Sequence, residues 1–74
     1  MSEAIEQKRK VVGAKLKSLR EAANVSQATM SRETGLTIST IVNIEHGHRS
    51  FRIDNLIQCL EAIGHSLPDV DWVQ

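Results

Sequence analysis

Between Ser26 and Gly47, two short segments, each opened by a hydroxyl residue, are joined across Thr34-Gly35-Leu36. Ser26 and Thr37 can each accept a backbone N–H from the turn that follows, so both positions open helices. Gly35 supplies the sharp turn between the segments, and Gly47 stops the second. Thr29 and Thr40 stand three residues after the caps, where Glu or Gln would complete a capping box. The pattern predicts one helix from Ser26 to about Glu33 and another from Thr37 to about His46. On the second, Ile41 and Ile44 face inward, while Ser39, Thr40 and Asn43 face outward. A short helix with a small, polar outer face is a shape that the major groove of DNA admits.

The remaining chain supplies a helical frame. Val12, Leu16, Leu19 and Ala23 recur at helical spacing, which predicts a helix over Gln7 to Ala23 with Lys8, Arg9 and Lys15 off the apolar stripe. Asn24 ends it, as a residue that tolerates left-handed backbone angles. Ile53, Leu56, Ile57, Leu60 and Ile63 form one strong face, predicting a helix from Ile53 to Ile63 with Gly64 as its stop. In the tail, His65 to Gln74, Val70 and Trp72 stand two apart, which suits a short extended segment. Phe51 and Trp72 are the only aromatic residues and Pro68 the only proline, a composition poor in sheet formers. The expected fold is all-α: a compact four- to five-helix bundle, one domain over residues 1–74, with the two-helix motif at 26–46 and a tail at 65–74. The expected core is Val12, Leu16, Leu19, Val25, Met30, Leu36, Ile41, Ile44, Leu56, Ile57, Leu60 and Ile63.

Charge is balanced overall but segregated along the chain. Residues 1–7 carry −2, residues 8–52 carry +6 and residues 53–74 carry −4. A basic body with an acidic end suits an anionic partner. No apolar run approaches the roughly 18 residues of a bilayer span, so no membrane role is expected. MSEAIEQKRK has no apolar stretch behind its basic cluster, so it does not read as a secretory signal; the cytoplasm is the expected location. Cys59, the single cysteine, excludes an internal disulfide and reads as a small buried thiol. His46, His48 and His65 lack Cys or acidic partners at ligand spacing, so no metal is expected. The four glycines are scattered rather than clustered in a phosphate loop. No nucleophile–base–orienter set is visible, so no enzyme, cofactor or small-molecule ligand is expected. A core this small leaves apolar surface for a second copy to cover.

The segment SQATMSRETGLTISTIVNIEHGHRS resembles the helix-turn-helix of the Cro/C1 family, also called the XRE family, of phage and bacterial transcriptional regulators. The similarity extends over about residues 11–65, back through Leu16-Lys17-Ser18-Leu19-Arg20 and forward through Asn55-Leu56-Ile57-Gln58-Cys59-Leu60. Arg20, Ser26-Gln27, Gly35, Thr37, Ile41, Ile44-Glu45 and Gly47 carry it. The resemblance implies a lambda repressor-like domain whose partner is double-stranded DNA. It further implies a repressor or autoregulator that binds a palindromic operator as a homodimer. Ile38, Ser39, Val42 and Asn43 match positions that face base edges. Gln27, Thr37, Thr40 and Arg49 match phosphate contacts, and Gln27 also braces the second helix. Arg20 and Glu45 match an internal salt bridge.

Two departures from the family pattern shape the expectation. Ile38 and Val42 are apolar where the family often has Gln, Arg or Glu, which confines them to contacts such as thymine methyls. Arg52 stands where the family commonly caps a helix with Ser or Thr. A cation at a helix start is favoured by a nearby phosphate, so Arg52 joins the expected phosphate contacts. The expected dimer surface is the last helix and the tail, with Leu60, Ile63, Val70, Trp72 and Val73. The resemblance also allows an antitoxin, whose acidic tail with Trp72 would cover a basic protein toxin. A tail ordered only by another protein would favour that reading; a tail buried in a homodimer would favour the regulator.

Overall fold

The computed structural model describes residues 2–72, and all regular structure among them is helical. The elements are α1 (Ser2–Ala22), α2 (Gln27–Thr34), α3 (Ile38–His46), α4 (Ile53–Ala62) and a 3-10 turn at Leu67–Asp69. α1 begins at Ser2 rather than Gln7. Its first turns have no apolar stripe, but Glu, Ala, Gln and Lys are strong helix formers and carry the helix onward. Asn24 closes the α1–α2 link at a φ of 59°. α4 ends at Ala62, with Ile63 as its cap.

The core gathers Leu16 from α1, Met30 from α2, Ile41 and Ile44 from α3, and Leu56, Cys59 and Leu60 from α4. Leu16, Met30, Ile41, Ile44 and Leu60 are wholly removed from solvent. Burying each such side chain is worth about 1.5–3 kcal/mol. Val12, Leu19, Val25, Leu36 and Ile63 pack around this centre while partly exposed. Ile57 is half-buried.

The tail departs from the expected extended segment. Pro68 lies in the first turn of the 3-10 element, and the Trp72 indole N–H donates to the Leu67 carbonyl at 3.0 Å. This turn folds Val70 into the core, where it is 8% exposed. Val70 and Leu60, two of the expected dimer contacts, are buried within the single chain. Ile63 and Trp72 keep part of their surface. Val73, the last expected contact, lies outside the described residues.

The close packing of α1 on the end of α3 depends on two glycines. A Cβ on Gly13 would run into the carbonyl oxygens of Ile44 and Glu45. A Cβ on Gly47 would run into the backbone of Arg9 and Lys10, and Gly47 also adopts a φ of +69°. Only glycine meets both demands at position 47 without strain.

Candidate nucleic-acid interface

The geometry of α3 begins with its caps. Ser26 accepts the Thr29 N–H at 3.0 Å, and Thr37 accepts the Thr40 N–H at 3.1 Å. The Thr37 and Thr40 hydroxyls pair at 2.9 Å, so threonine supplies a second hydroxyl where Glu or Gln was absent. The turn between α2 and α3 is laced by side chains as well as by Gly35, whose φ is +79°. The Thr34 hydroxyl donates to the Met30 carbonyl at 2.8 Å and accepts the Leu36 N–H at 3.1 Å. Ser31 donates to the Leu36 carbonyl.

A buried ion pair then fixes α3 against its neighbours. The Arg20 Nε donates to Glu45 Oε2 at 2.6 Å and Nη2 donates to Oε1 at 3.1 Å, a two-pronged geometry. Arg20 Nη1 donates to the Val25 carbonyl at 2.8 Å, tying in the α1–α2 link. Gln27 Nε2 donates to the same Glu45 carboxylate at 3.0 Å, tying in α2. Arg20 and Glu45 are only 7% and 4% exposed. The hydrogen bond to Glu45 raises the Arg20 pKa above its ordinary value, so the guanidinium stays charged. One of the two Gln27 amide N–H groups is spent on this brace.

With its inner face and both ends held, α3 turns its other face to solvent. Ile38 is 45% exposed at the first turn. Thr37 and Ser39 are exposed, and Thr40, Val42 and Asn43 are half-buried. Ser39, Thr40, Val42 and Asn43 line a concavity of about 540 Å³, shared with Arg49 and Arg52 from the α3–α4 loop. Ile38, Thr37 and Gln27 lie outside its lining. Asn43 Nδ2 donates to the Ser50 carbonyl at 3.3 Å, a bond that orients the amide. Its carbonyl oxygen and second N–H are the pair that adenine recognition uses. Arg52 precedes α4 without a side-chain cap bond and pairs with Asp54 at 4.0 Å, both side chains being largely exposed. Such an exposed pair is worth about 0–1 kcal/mol.

Sequence reasoning passed over part of this lining. His46, His48, Phe51 and Asn55 also face the concavity. His46 follows Ser39 and Asn43 at i+7 and i+3, a helical spacing that places it on the same stripe. His48 and Phe51 depend on the path of the loop, which no local spacing encodes.

A family model described as helix-turn-helix matches residues 16–70, most of the chain. Comparison with curated proteins gives no significant match, and comparison with solved structures gives none either.

Proposed function

The chain belongs to the Cro/C1-type helix-turn-helix family and is a DNA-binding regulator; from that premise we propose that it reads a specific operator through α3. The observation that carries this reading is the concavity that joins the outer face of α3 to Arg49 and Arg52. α3 enters the major groove. Asn43 and Ser39 meet base edges by hydrogen bonding, and Ile38 and Val42 meet thymine methyls. Arg49 and Arg52 hold the flanking phosphates, while Thr37, Thr40 and Gln27 approach the backbone at the starts of α3 and α2. Readout through few hydrogen bonds leaves a share of specificity to DNA shape.

Two copies bind a palindromic site, their α3 helices about 34 Å apart in successive major grooves. The surface left for that pairing includes Ile63 and Trp72, with Ile53, 54% exposed, as a further apolar contact on α4. Occupancy of the chain's own promoter makes it a repressor or autoregulator, set by protein concentration. The antitoxin reading is the less favoured, because Val70 and Trp72 are engaged with their own chain.

The test is binding to a duplex of the DNA upstream of the gene against a shuffled duplex, at two salt concentrations, with Asn43→Ala alongside. The upstream duplex should be preferred, and Asn43→Ala should weaken its binding by roughly tenfold, from about 1–3 kcal/mol per base contact. Equal binding of both duplexes by folded protein at both salt concentrations would sink the proposal.

A further inference from the structure

Two imidazoles stand at the rim of the concavity and have no part in the reading above. His46 closes α3 and His48 follows Gly47; their ring centroids are 5.9 Å apart, and both residues are exposed. Both line the same concavity as Asn43, Arg49 and Arg52. We infer that His46 and His48 form a proton-dependent phosphate seat at the end of α3, so that DNA binding takes up protons and tightens as pH falls. This rests on the DNA-binding reading and assigns a regulation to that same face.

The charges around the pair favour an anion there. Arg49 and Arg52 come from the same loop. Gly47, between the two histidines, packs against the backbone of Arg9 and Lys10 on α1. Glu45 on α3 is turned inward to Arg20, Glu6 on α1 pairs with Lys10 at 3.7 Å, and Asp54 on α4 pairs with Arg52 at 4.0 Å. An imidazole gains a positive charge on taking up a proton, and two protonated rings here would add to the charge of Arg49 and Arg52. Two imidazolium charges at this separation repel one another, and the attraction of a phosphate seated against both rings offsets that repulsion. Protonation and phosphate binding therefore reinforce each other by linkage. With histidines neutral the chain has a net charge of zero, so two added charges on one face are a large change for this molecule. The added phosphate contact also steepens the salt dependence.

The experiment measures affinity of the full chain for the upstream duplex at about pH 8 and about pH 6, at fixed salt, and compares the two within each protein. Wild type should tighten roughly tenfold across that interval. His65→Gln, a change in the tail, should keep the gain. His46→Gln combined with His48→Gln should lose most of it, and its salt slope at the lower pH should fall toward that measured at the higher pH. Preferential binding that does not change with pH, or a gain that survives in the double variant, would overturn the inference while leaving the proposed function standing. Absence of any preference for the upstream duplex at both pH values, in protein that remains helical by circular dichroism, would overturn both.

Discussion

At Glu45 three donors converge on one buried carboxylate, two from Arg20 and one from Gln27. Removing that carboxylate leaves a guanidinium stranded in the interior. Glu45→Ala should therefore cost about 3–5 kcal/mol, read from urea denaturation, whereas replacing both partners with Arg20→Met and Glu45→Leu should recover much of the loss. Cys59 offers a different residue-scale test. Burial, with a smaller contribution from Glu45, pushes its thiol up to about 11. In the folded chain the thiol keeps its proton at pH values where an unfolded thiol, near about 8.5, has lost it. Unfolding then releases a proton. This stabilising contribution is complete below about 8.5 and is lost as pH rises toward about 11. The urea midpoint of wild type should fall faster over that interval than that of Cys59→Ala; parallel curves would refute the assignment.

Among the elements, α2 and α3 were legible because their signals are local: a hydroxyl at each start and a glycine at each end. The start of α1 and the tail were not legible in the same way. The stripe that marks α1 begins at Val12, but the helix begins at Ser2, sustained by propensity rather than by burial. Val70 looked like surface apolar material because burial of the tail depends on where Pro68 directs the chain, a long-range outcome. Gly13 was also silent: a lone glycine in a helical stretch has no sequence mark of what packs against it. Its role can be tested beside Gly35. Gly13→Ala should gain about 1 kcal/mol of helix propensity yet destabilise the protein by about 2 kcal/mol net, because the added carbon meets α3 backbone. Gly35→Ala meets nothing within 4 Å and should cost only about 1–2 kcal/mol for its left-handed backbone. Thermal unfolding of the two variants checks the order.

The described residues span 35 × 24 × 18 Å, and their core draws on all four helices and on Val70. Val70→Ala should lower global stability by about 1–2 kcal/mol in denaturant, with a single cooperative transition, because the tail is part of the same packed unit. Across the whole molecule, Thr37, Thr40 and Asn43 both secure α3 and lie on its outer side, while the other anchoring and outward positions are separate. Ile41, Ile44, Glu45 and Gly47 fasten the helix inward. Ile38, Ser39 and Val42 have no place in that fastening. Mutation can then rewrite the outward positions at little structural cost. Descendants of one such gene could acquire different addresses on DNA while inheriting the same scaffold.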